Sequence, residues 1–458
     1  MVLAGTRGST DAPAYRAALD LLASGRYPFA DIARAVGRRI PHGRSRAEGR
    51  SRMSNAEGEW RAEVVAFLDG NARLRTGLGD WSATSVHDDP AEEHEYFERC
   101  RAWQQTVFDH GFAGITWSPE YGGRGGQSWQ QAIYREEESR YDVTSGFLTS
   151  TIALAGAALH GHGTEDQQER YLRPLLRGDE VWCQLFSEPD AGSDLANLGT
   201  RATLDGDQWV VTGQKVWTSG AQHADLGILL ARSDPDAPKH RGITCFACPM
   251  QSPGIEIRPL RQITGSAHFN EVFLSEVRIP ADAVIGEVHG GWTVGRAVLA
   301  AESAMIGGST RFDPVVELLR VARARDRTSD PRVRQAMATY VARERILGIL
   351  RERLRRDIRC GARPSVDGSV MKLLWSQART ARGELAVMLL GADALADDGT
   401  DPDPRFWRVE LLSRYWGSIG GGTDEVHKNH VAERVLGLPR EPRIDLDQPW
   451  STGRPIGA

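Results

Sequence analysis

The hydrophobic period of this chain changes twice, and the changes limit what it can fold into. Up to about Val181 apolar residues recur at helical spacing. From Val181 to about Ile285 they come in short branched runs divided by turn clusters. Past Gly290 the helical spacing returns and holds to about Leu436. A helix buries one stripe and a strand buries alternate residues, so the two periods need different packing partners. The order helical, all-β, helical describes an α+β multidomain chain.

Glu59 to Asn71, Ala91 to His110, Trp129 to Tyr141, Thr149 to His160 and Glu165 to Leu176 read as helices. Leu226 to Ala231, Ile243 to Pro249, Ile255 to Pro259 and Val272 to Pro280 read as strands, separated by SDPDAP, QSPG and QITGS. Short strands at that spacing indicate a sandwich or barrel. Trp292 to Met305, Pro314 to Arg323, Pro331 to Cys360, Ser365 to Ala396, Pro404 to Tyr415 and Thr423 to Leu436 are again helical. Helices in such succession bury their stripes best as an antiparallel bundle. The expected parts are an extension over 1–52, an N-terminal helical domain over 53–180, a middle β domain over 181–287, a C-terminal helical bundle over 288–440 and a tail over 441–458. The extension holds ten Arg and four acidic residues, a composition a transit peptide could have. The bias of Arg over Lys suggests a GC-rich bacterial gene, so a disordered extension or an upstream start is the preferred reading.

Trp182 to Gly220 carries the densest chemistry. It reads as strand, polar turn, strand, tight turn, strand. Phe186-Ser187 and Trp217-Thr218-Ser219 repeat one design, an aromatic residue beside a hydroxyl. Between them Asp190-Ala191-Gly192-Ser193-Asp194 is built of small residues, which let a backbone approach a planar or anionic ligand closely. An aromatic with neighbouring hydroxyls suits a large ring, stacked on one face and hydrogen-bonded at its edge. A flavin fits that description.

Three motifs now stand in order: WSPEYGGRGG (Trp117 to Gly126), FSEPDAGSD (Phe186 to Asp194) and GGTDEVHKNHVAERVLGLPR (Gly421 to Arg440). Together they make the chain, from about Met53 to Arg440, resemble the acyl-CoA dehydrogenase family. The resemblance implies the same three-part architecture, with FAD as cofactor. It implies conversion of a saturated acyl-CoA to the trans-2-enoyl-CoA, with electrons passed to an electron-transferring flavoprotein. The implied setting is cytoplasmic fatty acid or lipid metabolism. The implied assembly is a homodimer or homotetramer, or a heteromer with a second dehydrogenase subunit. Flavin contacts would come from Gln184, Phe186, Ser187, Gly192, Ser193, Trp217 and Ser219. Of these, Ser187 and Ser219 would donate to the ring's polar edge and Trp217 would pack on its face. Thr423 and Glu425 would contact the adenosine half. Ser193 could also serve the pantetheine, and the backbone N–H of Gly421 could polarise the thioester carbonyl.

Such a reaction needs a carboxylate of raised pKa in a dry site to take the α-proton. The best-known members carry it immediately before the Gly-Thr of the last helix, where this chain has Gly421. Members resembling isovaleryl-CoA and long-chain acyl-CoA dehydrogenases carry it on the first helix of the bundle, and Glu302 matches that position. Spacing supports Glu302 separately: Val298 and Leu299 precede it by four and three residues, and Met305 and Ile306 follow by three and four. Glu188 is a poorer alternative. Ser303 stands where the family usually has Arg. With Gly421 it motivates a second reading, a non-catalytic or half-site subunit. A flavin oxidase or monooxygenase on the same fold is a third. Arg-x-x-Phe-Gly is not evident around Pro314 to Arg332, and the Gln-x-Phe-Gly-Gly segment matches Met388 to Ala392 without its Gln.

Composition excludes other classes. A net charge of -5 implies no nucleic-acid partner. No apolar run approaches the ~18 residues of a membrane span. Cys245-x-x-Cys248 has metal or redox spacing, but it lies in an apolar strand-like run, where thiols behave as small hydrophobes; no metal is expected.

Overall fold

The computed structural model describes residues 55–305, 313–359, 368–396, 401–440, 442 and 447–452. The expected extension over 1–52 lies outside the described residues, as does Ile306. The cores and site below belong to the compact unit Arg61–Ala458.

Helices α1 (Asn55–Asn71), α2 (Pro90–Asp109), α3 (Ser128–Glu138), α4 (Leu148–His162) and α5 (Glu165–Arg177) precede the sheet. Their ends follow local chemistry. The Asp89 side chain accepts from the Ala91 N–H, with Pro90 in the first turn of α2. Thr164 and Gln167 form a reciprocal cap at the start of α5, and Gly178, at φ 81°, ends it. The Trp117–Gly126 motif is a turn that packs on α4: a Cβ on Gly156 would come within 2.5 Å of the Trp117 ring.

The middle domain holds β1 (Trp182–Leu185), β2 (Arg201–Asp205), β3 (Gln208–Ser219), β4 (Leu226–Arg232), β5 (Ile243–Pro249), β6 (Ile255–Leu260) and β7 (Phe269–Pro280). They form one seven-stranded sheet in the order β1-β4-β2-β3-β7-β6, with β5 on β4. β1 and β4 pair in parallel; β4–β5, β2–β3, β3–β7 and β6–β7 are antiparallel. Both faces of β1, β4 and β5 are buried. Trp182, Ile228, Leu230, Ile243, Cys245 and Ala247 face a core shared with α4 and α5. Leu185, Leu229, Ala231, Phe246 and Cys248 face Trp209, Val211, Val272 and Leu274 of the curled-over sheet. Cys245 and Cys248 therefore point to opposite sides of one strand, and burial pushes both thiols up to about 12. They cannot share a metal.

Taken alone, WVVTGQKVW (Trp209 to Trp217) suggests a Gly-containing turn at its middle; the structure corrects this, and β3 runs from Gln208 to Ser219. Gly213 is needed for close approach, since a Cβ there would collide with Thr200.

The C-terminal part comprises α6 (Gly291–Met305), α7 (Pro314–Ala324), α8 (Pro331–Arg359), α9 (Gly368–Leu390), α10 (Pro402–Leu412), the single turn α11 (Trp416–Ile419) and α12 (Asp424–His430). Leu318, Val321, Tyr340, Leu347, Leu385, Leu389 and Trp407 form the core of α7 to α10. α6 touches that bundle through α9 but buries Val294 and Val298 against the sheet core. It is the hinge element of the site, since its residues reach both domains.

Candidate active site

Glu302 lies on α6, half-buried, near the end of the helix. Burial pushes its carboxyl above the usual carboxylate range. Hydrogen bonds from the Gln184 side chain and the Gly421 backbone oppose the rise without cancelling it. Gln184 is on β1, opposite Ile228, and Gly421 precedes α12. The fold thus brings together one residue from the sheet, one from α6 and the backbone where the base stands in other family patterns. Ser303 takes no part: its hydroxyl donates to the Leu299 carbonyl at 2.9 Å on the same helix.

The glycine loop beside Glu302 is held from two sides. Gly421 and Gly422 take φ of 66° and 91°, a region that side chains with a Cβ adopt at a cost. Lys372 Nζ, on α9, donates to the Gly422 carbonyl at 2.7 Å, and Ser376 Oγ donates to Asp424 at 3.0 Å. His427 Nε2 donates to the Gly421 carbonyl at 3.0 Å. Thr423 caps α12 by accepting from the Val426 N–H at 3.3 Å, and Glu425 is exposed beside Lys428.

The ends of β1 and β3 are tied through Val216 and Lys215. The Val216 N–H donates to the Ser187 carbonyl at 2.9 Å. Lys215 Nζ, fully buried, donates to the Phe186 carbonyl at 3.0 Å and to Glu188 at 2.8 Å. Burial alone would push Glu188 up. The Lys215 charge, with N–H groups of Thr200 and Gly199, outweighs it and holds the carboxyl below its usual range. Glu188 is thereby held as the anion of a buried ion pair with Lys215. The Phe186 ring is buried in the sheet–helix core, so only its backbone can face a ligand.

A bulge after Lys215 changes the facing of β3. Lys215 and Val216 are both buried, Trp217 takes φ 61°, and Trp217 and Ser219 come out on one side. Trp217 is 60% exposed, its ring edge-on to Phe269 at 5.9 Å. An exposed indole braced by a strained backbone, with Ser219 two residues on and Ser187 brought beside it by the Val216–Ser187 bond, fits a flat aromatic ring laid on it. Gly192 and Ser193 are exposed just after the tight turn closed by paired Glu188–Ala191 backbone bonds. These residues fit FAD as holder.

Sequence reasoning missed Lys215, Lys372, Ser376 and His427. A signal existed. The chain has only four lysines, and each pairs with an acid of the two motifs: Lys215 with Glu188, Lys239 with Asp194, Lys372 with Asp424, Lys428 with Glu425. Of the four, Lys215 and Lys372 are buried, and there a compact ammonium meets several acceptors at once.

Comparison with known proteins agrees with this fold. The acyl-CoA dehydrogenase N-terminal, middle and C-terminal domain models match residues 73–179, 183–277 and 289–436. The acyl-CoA dehydrogenase IpdE1 of Mycobacterium tuberculosis is 37% identical over 395 residues, covering 84% of this chain and 98% of that protein. The acyl-CoA dehydrogenase FadE34 of the same organism is 36% identical, covering 86% of this chain and 54% of that longer protein. Among solved structures, the Tcur3481-Tcur3483 steroid ACAD superposes with a TM-score of 0.69 at 28% identity, covering 85% of this chain and 99% of the other. The ChsE4-ChsE5 complex from Mycobacterium tuberculosis gives 0.68 at 26% identity, covering 86% and 100%. With three domain models in order over most of its length, and a raised carboxylate where sheet, α6 and glycine loop meet, this chain belongs to the acyl-CoA dehydrogenase family.

Proposed function

We propose that this chain desaturates an acyl-CoA thioester between its α and β carbons, with Glu302 as the base and FAD as the redox cofactor. The observation that carries the reading is the raised Glu302 carboxyl beside Gln184 and Gly421. Bound FAD would supply the hydride acceptor. Trp217 would bear the ring face, Ser187 and Ser219 its polar edge, and Gly192, Ser193, Thr423 and Glu425 the remainder. Glu302 would take the α-proton. A thioester carbonyl accepting from the Gly421 N–H would compete with Glu302 for that donor. Losing it removes a bond that favours the charged carboxylate, so the base becomes stronger as the substrate seats. Electrons would then pass to an electron-transferring flavoprotein. For the acyl group we favour a bulky, steroid-type one, since the Tcur3481-Tcur3483 steroid ACAD is a structural relative.

The non-catalytic subunit is the second reading, and the ChsE4-ChsE5 complex favours a heteromer. A placed, half-buried carboxylate weighs against lack of catalysis, not against a partner.

The deciding experiment is an anaerobic visible spectrum of purified protein before and after a panel of straight-chain, branched and ring-bearing acyl-CoA thioesters. A yellow protein bleached by one class supports the reading. Glu302→Gln should keep the yellow colour and lower turnover by about a hundredfold or more. Near-normal turnover in that variant removes Glu302 from the mechanism.

A further inference from the structure

The C-terminal segment packs on the middle domain. Pro449 pairs with Pro238. The Trp450 and Ser451 N–H groups donate to the Ala237 and Pro235 carbonyls at 3.0 and 2.9 Å. Trp450 Nε1 donates to Asn197 Oδ1 at 3.1 Å. The Arg232 guanidinium lies 4.7 Å from the centre of the Trp450 ring.

Arg232 explains the arrangement. It is 1% exposed, and a buried charge must have its donors met. Its guanidinium donates to the carbonyls of Ala196 at 2.7 Å and Lys239 at 2.8 Å, and Trp450 covers its face. Lys239 in turn reaches Asp194 at 3.0 Å. Three of these contacts, from Arg232 to Ala196, from Lys239 to Asp194 and from Trp450 to Asn197, end on the segment just after Gly192 and Ser193. Without Trp450 the guanidinium meets water, and water competes for the bonds that fix the loop.

We propose that Asp447–Thr452 is a strap and that Trp450 is a positioning residue, holding the Asp190–Leu198 loop so that Ser193 meets a thioester ligand. The second half rests on the function proposed above; the strap does not. Trp450→Ala and Trp450→Phe should be compared with wild-type protein. Trp450→Phe keeps a ring over Arg232 and loses the bond to Asn197. Amide exchange across Ala191–Leu198 should be about tenfold faster in Trp450→Ala, with Trp450→Phe between. KM for the preferred acyl-CoA should rise about tenfold with kcat within about twofold, and Trp450→Phe should recover part of it. Unchanged exchange in Trp450→Ala overturns the strap. Faster exchange with unchanged KM overturns the positioning role. Should wild-type protein turn over no thioester, the proposed function fails, and exchange still decides the strap.

Discussion

As the proposed base, Glu302 combines two demands that oppose each other. A base needs a proton affinity near working pH, and burial supplies it by disfavouring the carboxylate. The same burial costs stability when the group is ionised. Its folded pKa lies above the unfolded value, so its contribution is fully favourable at pH below the usual carboxylate range. That contribution is lost as pH rises through the folded value. Glu302→Gln removes the cost and should raise Tm at pH 8 by roughly 1–3 °C. The difference should vanish near pH 3, below the usual carboxylate range, where both side chains are neutral. Thermal melts of holoprotein at the two pH values check this; a variant less stable at both shows that its hydrogen bonds outweigh its burial.

At the scale of elements, the β1 and β3 ends are fixed by one buried ion pair. Lys215→Met leaves Glu188 buried without its cation and should cost about 3–5 kcal/mol, seen as a large drop in melting temperature. Flavin retention should fall with it, because Lys215 also holds the Phe186 carbonyl and adjoins the bulge that presents Trp217. Glu188 has a lowered pKa, so the pair's stabilisation is present at neutral pH and lost as pH falls below the usual carboxylate range. Lys215→Met should therefore lose its disadvantage in acid. A Lys215→Met protein as stable as wild type at pH 7 contradicts the role assigned to the pair.

Across the whole molecule, not every contact between parts carries weight. Arg405 of α10 meets Asp88, just before α2, at 2.9 Å, yet both side chains are more than half exposed. Such a pair is worth at most about 1 kcal/mol, and Arg405→Ala should change Tm by less than about 1 °C. The buried surfaces of α6 do more, since Val294 and Val298 sit in the sheet core while the helix reaches α9. A Tm drop of several degrees in Arg405→Ala points instead to an organised charge network around Asp88 and Glu92.

Hydrophobic period alone determined the three-part order and most element ends, because a helix and a strand bury different residues of a repeat and need no distant partner to do so. Ile243–Pro249 begins and ends where the run of branched residues does. The motifs marked Trp217, Ser219, Gly421 and Glu302 one by one. What the chain's order could not say was which of them meet. Gln184, Glu302 and Gly421 converge only because α6 packs on the sheet and the glycine loop is pinned by Lys372 from α9. The facing of Trp217 depends on a bulge that register with β7 creates, and the fate of Glu188 on a lysine 27 residues away. Trp450 lies in what reads only as a tail over 441–458, and the fold sets it on Arg232. These are long-range pairings, and local periodicity holds no information about them.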